Sequence, residues 1–193
     1  MIGPRVRSSP RTMASERGEI ARSRVTEAMP LNIVSNRALE TIPEAMARAA
    51  NTVIAASLHD VTRALEAQAG RPRAAAIAVD LVGHSTRDHQ LLRLGATTID
   101  ALDLGVRRFF EDIARSGILR EINAVCLRLI GCETARSASG QRTMRLLAAV
   151  LGMPVYGTRK RISRMHNTEL GFRPLFQYLL VEATPRTAPW LLA

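Results

Sequence analysis

The sequence predicts an α/β fold, a three-layer α/β/α sandwich built on a mainly parallel sheet. Two apolar runs, Ala74 to Val82 and Ala124 to Ile130, are rich in Val, Leu and Ile and lack strict alternation, as strands covered on both faces do. Amphipathic stretches at helical spacing separate the runs, and glycines at 70, 117 and 152 stop them. The resulting order is strand, helix, strand, helix, strand, helix, strand, strand. Such alternation favours parallel pairing with crossover helices.

Residues 1–28 combine Pro, Ser, Gly and Arg with weak periodicity and read as a flexible Arg-rich leader, with a short helix over Glu19 to Ala28; the domain then spans 29–193. Leu31 to Val34 reads as a short first strand. Thr41-Ile42-Pro43-Glu44 has the cap, first-turn proline and Glu of a helix start. Met46, Ala50, Val53, Ile54, Ser57, Leu58, Val61 and Leu65 then share one face, which predicts a single long helix to Gly70. Gly83-His84-Ser85 follows the second strand, and Thr86 to Gly95 reads as a polar surface connection. Ile99, Leu102, Val106, Phe109, Phe110 and Ile113 predict a helix capped by Thr98 and stopped by Gly117. Ser139 opens a third helix around Met144, Leu147, Ala148 and Leu151, closed by Gly152 and Pro154. Val155 and Tyr156 form a short strand ending at Gly157-Thr158, and Phe176 to Val181 forms one more.

With 193 residues, 47% hydrophobic and 23% charged, the chain suits one globular domain with a sufficient core. It contains no apolar run of about 18 residues, and its first residues lack the apolar centre of a secretory signal. A cytoplasmic protein without a membrane span is expected. The net charge of +10 raises the question of nucleic acid. All basic residues except Lys160 are arginines, scattered among alanines, and aromatic residues make up only 4%. Local concentrations occur in the leader and at Arg159, Lys160, Arg161 and Arg164. With few stacking platforms and no zinc-finger, RNA-recognition or homeodomain signature, no specific nucleic-acid partner is expected. Cys126 and Cys132 lie six positions apart on one strand and its end, too far along an extended chain for a disulfide. No C-x-x-C or H-x-x-x-H pairing joins His84, His89 or Cys132 into a zinc site, so neither metal nor cofactor is expected.

Two strand ends carry reactive groups. His84 follows one buried strand and Cys132 the next, one crossover helix apart, at the carboxyl edge where open α/β sheets keep their ligand sites. A thiol with an ordinary pKa of about 8.5 is a few per cent thiolate at neutral pH, and an adjacent imidazole raises that fraction or takes the proton during attack. Such a pair suits acyl transfer, with main-chain N–H groups around Gly83 to Ser85 and at Cys132 as an oxyanion hole. Cys126, inside its strand, reads as core. His89 and His166 sit in polar segments and read as solvated, and His59, on the first helix, has no assigned chemistry. Ser85 offers a second nucleophile, because Gly83-His84-Ser85 after a strand resembles the G-x-S-x-G elbow of α/β-hydrolases; the pattern breaks at Arg87, where that turn needs a small residue.

Leu81-Val82-Gly83-His84-Ser85, Leu91-Leu92-Arg93-Leu94-Gly95, Leu127 to Ala135 with its G-C-E-T-A element, Gly140, and Leu151 to Thr158 together resemble the caspase-like cysteine peptidase fold. That superfamily includes caspases, metacaspases, gingipains, separases and bacterial CHAT proteases. The resemblance covers roughly residues 74–158. It implies His84 as base, Cys132 as nucleophile, and an oxyanion hole from the N–H groups of Ser85 and Cys132. In many members glycine follows the histidine directly, whereas here Ser85 follows and the glycine precedes. It also implies a protein or peptide substrate, read before the cut by a pocket for which Asp80, Glu133, Arg159 and Glu169 are the candidates. An acid there would favour Arg or Lys, and Arg159 an acidic residue. Small bacterial proteins resembling this fold act in antiviral defence or cell death by activating a partner such as a gasdermin-like pore former. The competing expectation is a catalytically silent interaction module whose leader docks an acidic partner.

Overall fold

The computed structural model describes residues 27–72 and 75–185; residues 1–26 of the predicted leader, with most of the helix expected over Glu19 to Ala28, lie outside them. The chain opens with strand β1 (Met29–Ser35), a one-turn helix α1 (Glu44–Ala47), edge strand β2 (Thr52–Ala55) and helix α2 (Leu58–Ala69). Strand β3 (Ile77–Val82) leads into a small antiparallel sheet of β4 (His84–Ser85), β5 (Leu92–Leu94) and β6 (Thr97–Thr98). Helices α3 (Leu104–Ser116) and α4 (Ile118–Glu121) precede strand β7 (Ala124–Ile130), helix α5 (Ala138–Leu151) and strand β8 (Val155–Thr158). A hairpin, β9 (Asn167–Thr168) with β10 (Gly171–Phe172), and a last strand β11 (Leu180–Ala183) complete it.

The main sheet has six strands in the order β11-β8-β7-β3-β1-β2. All pairs are parallel except β11 with β8. The crossovers from β2 to β3, β3 to β7 and β7 to β8 all advance in one direction. Right-handedness therefore places α2, α3 and α5 on one face. There Val61, Leu65, Val106, Phe110, Met144 and Leu147 bury against Val79, Leu81, Leu127 and Leu129. The connection from β1 to β2 runs the other way and puts α1 on the opposite face, where Ile42, Met46 and Phe172 cover Val34, Val82 and Ile130. The α/β class and the mainly parallel sheet match the sequence reading, but the second covering layer is thin. It consists of one helical turn, the β9–β10 hairpin and 3-10 turns.

Several elements differ from expectation for identifiable reasons. The long helix expected from Thr41 to Gly70 is three elements. Val53 and Ile54, which fit the helical face by spacing, belong to β2 and pair with Ile33 and Val34 of β1. Their β-branched side chains suit a strand, and Ser57 with Asp60 then forms a capping box that starts α2 afresh. The polar connection from Thr86 to Gly95 contains β5, whose Leu92 and Leu94 are buried. Helix α3 is capped by Asp103, whose Oδ1 accepts from the Gly105 and Val106 N–H groups, while Thr98 lies in β6. Helix α5 is capped by Ser137 rather than Ser139. Phe176 lies in a 3-10 turn, and the strand expected there begins at Leu180. No helix among the described residues is long and apolar enough to cross a membrane.

Candidate functional site

The site begins with two neighbouring strands that end together. β3 and β7 pair in register through Val82 and Ile130, and Gly83 N–H donates back to the Ile130 carbonyl at 3.0 Å. Beyond this last rung His84 and Cys132 leave the sheet on the same rim. They line one cavity of about 20 Å³ with Thr41, Val82, Gly83, Ile130, Gly131, Ile162 and Asn167. That volume holds about one water molecule.

The turn after β7 is held by small residues and threonines. A Cβ at Gly131 would lie 2.7 Å from Leu92 Cδ1, 2.9 Å from Ser85 Oγ and 3.0 Å from the Gly83 carbonyl oxygen, so a larger residue there would have to push its neighbours aside. Thr134 donates to the Leu129 carbonyl and accepts from Thr158 N–H, both at 2.8 Å, and the Thr158 hydroxyl donates to the Gly131 carbonyl. These bonds tie the G-C-E-T-A element to the end of β8. Glu133, just after the cysteine, has a φ of 61°, a left-handed conformation uncommon for a residue other than glycine. Strain of this kind is enriched at functional sites, and here it falls on the residue directly after Cys132.

His84 Nε2 lies 2.8 Å from Glu40 Oε1, on the 3-10 turn that follows β1. The Glu40 carboxyl is lowered from its ordinary value, first by a hydrogen bond within its own backbone and then by His84. The Cys132 thiol donates to the Ile162 carbonyl at 3.5 Å. Among the described residues no hydrogen bond joins His84 to Cys132 directly. The Cys132 N–H has no acceptor among the described residues. Thr86 N–H donates to the Leu91 carbonyl, so the antiparallel alternation makes Ser85–Leu92 a non-hydrogen-bonded pair and turns the Ser85 N–H away from β5. The Gly83 N–H, bonded to Ile130, drops out of the expected oxyanion set.

Other predicted residues are placed differently. Asp80 is completely buried in the middle of β3, and Arg128 on β7 holds it with two bonds, Nε to Oδ1 at 2.5 Å and Nη2 to Oδ2 at 2.7 Å. Burial works against the Arg128 charge, but Asp80 prevails and raises its pKa. Asp80 is therefore corrected from a substrate-pocket candidate to half of an internal ion pair, because a buried carboxylate needs a partner and β7 supplies it. Glu133 pairs with Arg136 and accepts from Gln90, beside the cysteine but engaged. Arg159 is exposed just past β8, and Glu169 is exposed in the β9–β10 turn. Ser85 is corrected as a nucleophile: its Oγ is buried without a hydrogen-bond partner, and its strand leads into a turn and β5, not into the helix an elbow requires. Cys126 is core, its thiol pushed up to about 12 by burial. No group of three or more His, Cys, Asp or Glu among the described residues stands where it could hold a metal ion.

Sequence reasoning missed Glu40, Ile162 and Asn167. Glu40 lies in the 3-10 turn after β1, Ile162 in the loop after β8 and Asn167 at the start of β9, all far from His84 and Cys132 along the chain, and only the sheet order folds them over one rim. The fold and its rim site define a mainly parallel α/β protein with a thiol and an imidazole at adjoining strand ends. No protein-family model and no curated protein matches the chain.

Proposed function

We propose that the protein is a caspase-like cysteine endopeptidase in which His84 and Cys132 act as a dyad on a protein substrate. The observation that carries this reading is their convergence on one cavity at the ends of adjacent parallel strands. The Glu40 carboxylate accepts from His84 Nε2–H and leaves Nδ1 as the basic nitrogen. That nitrogen takes the Cys132 proton as sulfur attacks the scissile carbonyl carbon. The imidazolium returns the proton to the departing amine, and water then hydrolyses the thioester to regenerate the thiol. The N–H groups of Cys132 and Ser85 receive the oxyanion. The Ile162 carbonyl, 3.5 Å from Sγ, supports the reading further, since the space beside the sulfur already accepts a peptide carbonyl. In this role the exposed cations Arg159, Lys160 and Arg161 favour an acidic substrate segment. A partner activated by cleavage, such as a gasdermin-like pore former in a defence pathway, fits this reading.

Iodoacetamide labelling of the native protein tests the dyad. Rapid modification of Cys132 that falls at least tenfold in His84→Ala is the expected result. Equal, slow labelling in both proteins would remove the catalytic proposal. The second reading, a catalytically silent module, is favoured by one observation: Ile162 closes the cavity to about 20 Å³, too small for a substrate side chain. Under the peptidase reading a substrate must displace the Ile162 segment.

A further inference from the structure

The cavity beside Cys132 contains a polar group that the dyad does not use. Asn167, on β9, is 2% exposed and lines the cavity together with His84, Cys132 and Ile162. Its side-chain Oδ1 is buried and has no hydrogen-bond partner. Every other polar side chain around the cavity is engaged: Thr41 donates to the Ala38 carbonyl at 2.6 Å, His84 meets Glu40, and the Cys132 thiol donates to Ile162. The remaining wall is apolar, from Val82, Ile130 and Ile162, with main chain at Gly83 and Gly131.

A buried acceptor left unpaired opposes folding, and a ligand that donates a hydrogen bond to it offsets that cost. The unpartnered Oδ1 is an acceptor, which suits the N–H of a peptide unit. A peptide carbonyl, that of Ile162, already occupies the neighbouring position at the sulfur. We infer that Asn167 binds the substrate main chain beside the scissile bond, holding the peptide once the Ile162 segment has moved aside. This inference rests on the cysteine peptidase reading and makes Asn167 a substrate-binding residue outside the dyad.

The test compares two electrophiles on the full chain. Iodoacetamide reports the reactivity of the Cys132 sulfur alone. Peptidyl acyloxymethyl ketones, one with Asp and one with Arg before the reactive carbon, report capture of a peptide, since the sulfur displaces their carboxylate only after the chain is seated. In Asn167→Leu, capture of the better ketone should slow about tenfold, while the iodoacetamide rate stays within about twofold and the melting temperature is unchanged or higher. Measuring the same ratio of rates in Asn167→Ala guards against a leucine variant that fails to fold. Wild-type rates with both reagents overturn the inference but leave the dyad standing, as does a parallel loss of both rates with a lower melting temperature. If neither reagent modifies wild-type Cys132 faster than a free thiol, the peptidase reading falls and this inference falls with it.

Discussion

The same two strands carry two polar pairs that behave in opposite ways. Asp80 and Arg128 face each other in mid-sheet, completely closed off and joined by two short bonds. His84 and Cys132 lie four positions further along each strand, only partly buried, and each bonds to a group outside the pair. The middle of a covered sheet admits charge only when both partners saturate one another, because neither can reach water. The rim relaxes that demand, so side chains there need not pair with each other. The comparison separates a pair closed within the fold from two groups left at its edge, although both sets are ionisable residues on or just past β3 and β7.

The sharpest way to break this comparison is to strand a charge. Arg128→Met should lower stability by about 3–5 kcal/mol in urea denaturation, because Asp80 is left buried and alone. Combining it with Asp80→Leu should recover most of that loss, and a double variant as unstable as the single one would refute the pair's closed character. Next in size is the corner between the two regions. A Cβ at Gly83 would lie 2.2 Å from the Arg93 carbonyl oxygen. Gly83→Ala should therefore cost about 1–3 kcal/mol, as overpacking does, and should slow iodoacetamide modification of Cys132 by shifting His84.

Cys126 gives a pH-dependent version of the contrast. Burial raises its thiol from an ordinary 9.0 to about 12, so the native state prefers the protonated form. That preference contributes fully below pH 9 and is lost as pH rises from about 9 to 12, with a slope approaching about 1.4 kcal/mol per pH unit. Cys126→Val should flatten this part of the alkaline stability curve in denaturant titrations. The smallest effect belongs to the proposed nucleophile. Cys132→Ala should change stability by less than about 0.5 kcal/mol while abolishing the proposed peptidase activity, and a large loss of stability would place Cys132 among the structural residues.

The strand carrying Cys132 was legible to the residue, because a covered parallel strand needs a continuous apolar run and a glycine ends it. The rim position of His84 was legible for the same reason. Val53 and Ile54 misled, since three- and four-residue spacing also occurs by chance across a one-turn helix and a short edge strand, and periodicity cannot see the strand alongside. Asp80 misled differently. A lone acid in an apolar run signals a required partner, yet nothing local says whether that partner is a substrate or an arginine one strand away.

Local patterning of apolar residues, glycines and caps determined which segments became strands and helices, and with them the class of fold and the edge at which His84 and Cys132 emerge. Tertiary structure alone decided what surrounds those two groups. Glu40 reaches the rim from the connection between β1 and β2, and Ile162 and Asn167 from the segment that follows β8; the order of strands in the sheet brings them there, and that order follows from long-range packing that no short stretch of sequence encodes.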